Sequence, residues 1–497
     1  MSAQDASFLH VENENNPMHI GSVSQFEGPA PTYGELVRAV SAKLPLIPRY
    51  RQKVRFVPLG LGRPVWVDDP HFQILYHVRH TAVPSPGGAE QLRNLAGRIF
   101  AQRLDRSRPL WELWLVEGLS GGEWALISKV HHCMVDGVSA TDLMTVLLDS
   151  SPDSQPAPAA APWRTGHEPT GVHLVADAMA DAVLMPWERL RGLPVVARSP
   201  IQQVQGALEV ARMVAETALR LRRPAAASLN GSIGPHRRWS WVSVSLADVK
   251  KIRSALGGTV NDVLLAAVTR GFRALLTSRG MPVDGRVVRT LVPVSVRASS
   301  ERGTYNNRVS AVFAELPIGL DDPVDRLNAV RRQMDDVKES QNAMSGEALV
   351  RLSGFAPPML LALGARLATR FPQRSVQTVV TNVPGPQFPL YVGGRQMVLA
   401  YPYVPIYGSV RISLAIFSYV GRLSFGITAD YDTGTDVEVL CRGIEEGVTE
   451  LLGTASVIGS RATPRLREAR RGRRRPAASG RSSRTRTGVS RRKPTPA

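Results

Sequence analysis

The sequence predicts an α/β protein, in α+β layering, built as two halves. Three observations predict it. Runs of β-prone residues alternate with amphipathic helical runs through both halves of the chain. At 497 residues it is long enough for two core-bearing units. A Ser-, Pro- and Ala-rich stretch from Ser151 to Trp163 has the composition of a linker. The predicted organisation is an N-terminal half over 1–150, a linker with crossover helices over 151–235, a C-terminal half over 236–460 and a disordered basic tail over 461–497.

The first half reads as follows. Residues 1–21 read as a segment that completes a sheet, although Asp5, Phe8, Met18 and His19 carry groups able to touch a ligand. Leu36 to Leu44 reads as a helix ended by Leu44-Pro45. Arg55 to Leu59 and Val65 to Asp68 read as strands around Gly60-Leu61-Gly62, with no nucleotide-binding glycine string after it. Phe72 to His80 reads as a strand; alternation puts His77 and His80 on opposite faces, which argues against a metal site with His71. Gln91 to Arg103 reads as a helix leading to the stiff, bulky corner Pro109-Leu110-Trp111. Trp124 to Val130 alternates as a strand, and Ser139 with Asp142 resembles a capping box opening a helix with Leu143, Val146 and Leu147 on one face.

Past the linker, Val172 to Leu193 and Gln202 to Leu221 read as helices, the first interrupted at Pro186. Trp239 to Leu246 is a predicted strand, and Ser245 with Asp248 caps a short helix that Gly257-Gly258 ends. Asn261 is the expected N-cap of a helix bearing Leu264, Val268, Phe272 and Leu275 on one face and stopped by Gly280-Met281-Pro282. Val287 to Val296 is a β-prone run ending at Arg297. Helices over Asp322 to Lys338 and Glu347 to Arg370 precede a strand over Val376 to Thr381, which runs into Asn382-Val383-Pro384-Gly385-Pro386. Arg411 to Ser418 and Leu423 to Thr428 form a predicted hairpin around Val420-Gly421-Arg422, and a helix over Asp436 to Leu452 closes the body.

The densest chemistry lies at His131-His132-Cys133-Met134-Val135-Asp136-Gly137, on a predicted strand-to-helix turn. Neutral imidazole is the usual general base near neutral pH. Asp136, four residues beyond His132, can fix a tautomer or lock the loop, and Gly137 frees the chain to turn. No G-x-S-x-G elbow supplies a serine nucleophile. The simplest chemistry is direct: His132 takes a proton from an acceptor hydroxyl, which attacks an activated acyl group, while His131 buttresses the loop. Neither His-Glu-x-x-His nor paired cysteines occur, so no metal is expected.

This string resembles the HHxxxDG signature of CoA-dependent acyltransferases related to chloramphenicol acetyltransferase. With DASFLHVENENNPMHIG at 5–21, RPLWE at 108–112, NDVLLA at 261–266, PVSVR at 293–297 and TNVPGP at 381–386, the chain resembles the bacterial wax ester synthase/diacylglycerol acyltransferase family from Asp5 to Gly453, and within it the actinobacterial triacylglycerol synthases. The resemblance implies two chloramphenicol acetyltransferase-like halves, each a mixed sheet with helices, and a substrate tunnel between them. It implies long-chain acyl-CoA as a substrate, with no cofactor, and diacylglycerol or a long-chain alcohol as acceptor. It places Pro109, Leu110 and Trp111 along a substrate channel, Asn261 and Asp262 near the acyl channel, and Thr381 and Asn382 beside the developing oxyanion. It also implies that Asp136 pairs with Arg297 to support the loop. His131 and Asp136 also satisfy the His-x-x-x-x-Asp string of membrane glycerolipid acyltransferases, and a non-catalytic lipid- or nucleic-acid-binding protein on the same fold is the remaining alternative.

The net charge of +19 is concentrated at the end of the chain, where residues 461–497 hold 14 Lys/Arg against one acidic residue, Glu468. Such a segment buries too little apolar surface to fold. It suits peripheral association with an anionic membrane or lipid-droplet surface rather than a specific nucleic acid. Two cysteines, no leader-like N-terminus and no apolar run of roughly 18 residues predict a cytoplasmic protein.

Overall fold

The computed structural model describes residues 1–134, 144, 146–153, 166, 168–180, 227–295, 309–343 and 376–472. Two six-stranded mixed sheets organise it. The first contains β1 (His19–Phe26), β4 (Val78–Ala82), β5 (Trp111–Glu117), β6 (Trp124–His131), β11 (Tyr391–Val392) and β12 (Arg395–Tyr403), in the order β11-β12-β1-β6-β5-β4. Its pairs are antiparallel except β4 with β5. A separate hairpin joins β2 (Gln52–Arg55) to β3 (Val65–Asp68). The second sheet contains β7 (Arg237–Ser245), β8 (Val288–Ser295), β9 (Val309–Leu316), β10 (Thr378–Pro384), β13 (Ile412–Tyr419) and β14 (Arg422–Asp430), in the order β7-β14-β13-β10-β8-β9. Here β10 runs parallel to both β8 and β13.

The two sheets do not divide as the chain does. β11 and β12 come from the C-terminal part but pair in the first sheet, with β12 alongside β1 from Gly21↔Tyr403 to Phe26↔Met397. A boundary at 236 therefore separates chain segments rather than sheets. Where β12 passes β14 the backbones nearly touch: a Cβ on Gly426 would lie 1.6 Å from Pro402 O. Trp239, Trp241, Tyr401 and Tyr403 join residues of the Ala89–Ala101 helix in one buried cluster across this seam.

Local chemistry starts most helices. Thr32 makes a capping box with Glu35 before Tyr33–Lys43, and Ser245 accepts from the Asp248 amide before Leu246–Leu256; such caps stabilise by about 1 kcal/mol each. The helix Val260–Ser278 is capped by Thr259 in a capping box with Asp262, so Asn261, expected to be the cap, lies inside the first turn. This helix buries its Leu264, Val268, Phe272 and Leu275 stripe against the second sheet and the terminal helix. The turn between β13 and β14 uses Val420 and Gly421 at φ 39° and 75°, which tightens the hairpin as expected.

Other expectations shift. Phe72 to His80 is not one strand: Ile74–His77 is a helical turn, held by Gln73 accepting from the Leu75 amide, and only Val78 onward joins the sheet. The first hairpin strand ends at Arg55, and Pro58–Gly60 forms a 3-10 turn. Residues Ala3–Val11 form a helix rather than a sheet segment. The terminal helix runs from Val437 to Gly472, into the segment expected to be disordered. The expected helices over Gln202–Leu221 and Glu347–Arg370 lie outside the described residues, as does most of Val172–Leu193 beyond a helical stretch at 171–180. Among the described residues no helix is long and apolar enough to cross a membrane.

Candidate active site

The site is built where β6 ends. His131 is its last residue, paired with His19 of β1, and its amide donates to Leu110 O at 2.9 Å. The next three residues, His132–Met134, turn as a 3-10 helix, and the His132 amide donates to Met18 O at 2.9 Å. Both neighbours of this turn are therefore fixed by main-chain bonds.

His132 keeps partial exposure, and Phe8 stacks on its ring at 4.0 Å between centroids and 21° between planes. Burial pushes its pKa down to about 4, against a bond from the ring to its own carbonyl that favours the charged form; the His131 ring nearby pushes the same way as burial. At neutral pH the imidazole is uncharged. A neutral imidazole keeps one ring nitrogen as an acceptor.

His131 is fully buried. Its Nδ1 accepts from the Cys133 amide at 3.2 Å and lies 2.9 Å from Cys133 Sγ; its Nε2 is 3.5 Å from Glu12 Oε1. Glu12 is buried as well. Burial alone would raise its pKa, but bonding to His131, the Met18 amide (3.0 Å) and the Arg106 guanidinium (2.7 and 2.9 Å) outweigh it and hold the carboxyl down at about 2. Arg106 also donates to Leu9 O at 2.8 Å, so the N-terminal helix is clamped to the histidine turn.

The corner Pro109-Leu110-Trp111 braces this assembly from inside. All three side chains are buried. Trp111 stacks between Tyr50 and His77, donates its indole N–H to Tyr50 O at 2.8 Å, and its carbonyl bonds His77 Nδ1 at 2.8 Å. These side chains thus fill the core, and Leu110 acts on the motif through its carbonyl. His80 lies apart, bonded to Glu117 at 2.6 Å.

The second sheet approaches through β10 and β13. Val383 and Phe417 pack in the cluster that contains Cys133 and Met134. Val380 belongs to the opposite core, over the Val260–Ser278 helix. Strand alternation then puts Thr381 on the histidine-turn side with Val383 and turns Asn382 away with Val380. Asn382 Nδ2 donates to Asn261 Oδ1 at 3.4 Å, and both line an open cleft of about 380 Å³ with Arg253, Thr259 and Ser418. Asp262 is buried and spends one oxygen on the Thr259 amide at 2.7 Å. The structure therefore brings Thr381 and the histidine turn to one side and gathers Asn261 and Asn382 on another. Asp136, Gly137 and Arg297 lie outside the described residues.

Two residues that sequence reasoning did not place at the site belong there. Phe8 was named with Asp5, Met18 and His19 as able to touch a ligand but was given no role at the histidines, and Glu12 was not singled out. Both sit in the DASFLHVENENN stretch, whose density of motif-like residues was the available signal.

Two mixed sheets, the first completed by β11 and β12 from the C-terminal part, with a neutral imidazole where they meet, define the two-domain acyl-transfer class of folds. A trichothecene 15-O-acetyltransferase of Fusarium sporotrichioides shares this fold at 12% identity and a TM-score of 0.59, over 91% of this chain and 93% of that one. Within that class the chain belongs to the wax ester synthase/diacylglycerol acyltransferase family: the family's catalytic-domain model matches residues 1–264 and its C-terminal-domain model residues 305–452. It is 37% identical over 460 residues to a probable diacylglycerol O-acyltransferase of Mycobacterium tuberculosis, covering 91% of this chain and 95% of that one. A wax ester synthase/diacylglycerol acyltransferase from Marinobacter aquaeolei superposes at a TM-score of 0.67 with 26% identity, over 91% of this chain and 98% of that one.

Proposed function

We propose that the protein transfers the acyl group of a long-chain acyl-CoA to the free hydroxyl of diacylglycerol, giving triacylglycerol, with His132 as general base and no acyl-enzyme. The carrying observation is His132 itself, uncharged by burial, stacked on Phe8 and standing where the two sheets meet. The acceptor hydroxyl gives its proton to His132 as its oxygen bonds the thioester carbonyl carbon. Collapse of the tetrahedral intermediate breaks the carbon–sulfur bond, and the leaving sulfur takes the proton back. General-base assistance of this kind is worth roughly 10²–10⁴ in rate. Thr381, which strand alternation puts on the histidine-turn side of β10, carries a hydroxyl able to offer the oxyanion a hydrogen bond. Diacylglycerol is chosen as acceptor because the 37% identical relative carries that activity in its name.

A long-chain alcohol is the second acceptor, favoured by the likeness to the Marinobacter protein, whose name joins both activities. A product assay with labelled palmitoyl-CoA and either dioleoylglycerol or hexadecanol decides between them. Triacylglycerol that disappears in His132→Ala supports the first reading; wax ester as the dominant product replaces it with the second. The 14 basic residues between 461 and 497 support peripheral attachment to an anionic lipid surface. Deleting 473–497 should weaken binding to anionic vesicles and leave turnover of soluble substrate analogues intact.

A further inference from the structure

We propose that Glu12 is a positioning residue for the catalytic turn: acting through His131, it keeps the His131 proton on Nε2 and so preserves the Cys133 hydrogen bond that fixes where His132 stands. The proposal rests on the reading of His132 as the base. Glu12 does not itself touch His132.

A backbone N–H can only donate, so the 3.2 Å bond from the Cys133 amide makes His131 Nδ1 an acceptor. The proton of a neutral ring must then sit on Nε2. That atom is buried and makes no close hydrogen bond; the Glu12 carboxylate lies beside it, with Oε1 at 3.5 Å. The opposite tautomer would set two donors against each other at Cys133 and two acceptors against each other at Glu12. A carboxylate in this place therefore penalises the wrong tautomer directly.

The same side chain holds the other neighbour of His132. Glu12 Oε1 accepts from the Met18 amide at 3.0 Å, and the Met18 carbonyl accepts from the His132 amide at 2.9 Å. One carboxylate thus reaches His132 from both sides, through residue 18 and through residues 131 and 133. Its second oxygen is occupied by Arg106 Nε and Nη2. That pair keeps the buried group ionised and fixes which oxygen faces His131. His131, with Nδ1 bonded to the Cys133 amide, Nε2 beside the Glu12 carboxylate and no exposure, relays position rather than protons.

The test uses the full chain with ¹⁵N-labelled histidine, reading the His131 tautomer by NMR beside steady-state kinetics of Glu12→Gln and Glu12→Leu. The wild type should carry the His131 proton on Nε2. Glu12→Gln keeps one oxygen, which serves Met18 and His131 only with its NH2 set toward Arg106; in that orientation it should retain the tautomer and stay within about 10-fold of wild-type kcat. Glu12→Leu offers no acceptor; it should mix the tautomers and lose about 10²-fold in kcat with little change in KM, the scale of a misplaced catalytic group. A wild-type proton on Nδ1, or wild-type kcat in Glu12→Leu, overturns the proposal. So does equal loss in both variants with Nε2–H retained, since Glu12 would then be only a counter-charge for Arg106. If Glu12→Leu does not fold, the wild-type tautomer and Glu12→Gln decide between the same outcomes. Full activity in His132→Ala would overturn the base reading instead, and would leave the His131 tautomer untouched.

Discussion

Phe8 and His132 stack face to face, 4.0 Å apart, although they belong to a terminal helix and to a turn at the end of β6. The contact covers one face of the imidazole and contributes to the desolvation that keeps it uncharged. Phe8→Ala should admit water to that face and move the acid limb of kcat/KM upward from about 4 toward the ordinary histidine value of 6.5. Turnover should fall about 10-fold, with the melting temperature nearly unchanged. An unmoved acid limb would show that Phe8 takes no part in shielding the ring.

The wild-type pH profile follows from the same group. The base works in its neutral form, which is present above its pKa and lost as pH falls through it. With that pKa near 4, kcat/KM should stay level from pH 7 to below pH 6 and drop only around pH 4. An ordinary histidine limb near 6.5 would mean that His132 is better hydrated than its surroundings suggest.

Glu12 makes a stability prediction separate from its kinetic one. Its folded pKa is depressed from 4.5 to about 2, so its contribution is fully present above pH 4.5 and is lost as pH falls through about 2. Glu12→Gln should cost on the order of 3 kcal/mol at pH 7. The gap to wild type should close through that acid window, as read by denaturant unfolding at a series of pH values.

Lys129 acts with the same sign at the alkaline end of the range. Its side chain is fully buried beside Glu112 at 3.6 Å and donates to Ile99 O at 3.1 Å. Burial still lowers its pKa to about 8, against the pull of Glu112. Between pH 8 and 10.5 the unfolded chain holds this proton and the folded protein does not, so stability rises with pH there. Lys129→Met removes the titration, and wild type should gain on it by about 3 kcal/mol across that interval. Parallel stability curves would contradict the buried, discharging lysine.

Gly426 tests the seam between the sheets. A Cβ there would meet Pro402 O at 1.6 Å, and a main-chain oxygen held in β12 cannot swing aside. Gly426→Ala should destabilise by about 3 kcal/mol or more, the upper range for overpacking. Thermal unfolding gives the readout, and a melting temperature within a degree of wild type would mean that the seam opens easily.

Much of the architecture was legible because it is local. The Ser245 cap and the Val420-Gly421 turn follow from side chains acting within four residues of themselves. Thr259 is legible too, as the first residue of a Thr-x-x-Asp box, but the expectation fell on Asn261, a good capping type, without weighing Thr259. The Ile74–His77 turn was hidden by β-prone neighbours. Besides the local Gln73 cap and the stacking of Phe72 on His77, it is held by the bond from His77 to Trp111 O and by stacking on Trp111, which are tertiary contacts. In the site, His131 and His132 announced themselves by spacing, whereas Glu12 is one of several acids in a polar run until burial singles it out.

The sequence by itself determined that the chain alternates strands and helices, that a histidine pair stands at a strand end, and that the family text runs through both halves in order. Periodicity, caps and motif spacing are properties of neighbouring residues, so they survive without a fold. Only the tertiary structure decided that residues 391–403 complete the first sheet, that Phe8 covers His132, that Glu12 faces His131, and that Thr381 and Asn382 turn to opposite sides. Strand pairing, stacking and buried charge pairs join residues far apart along the chain, and their energies depend on desolvation that exists only once the sheets have closed on each other.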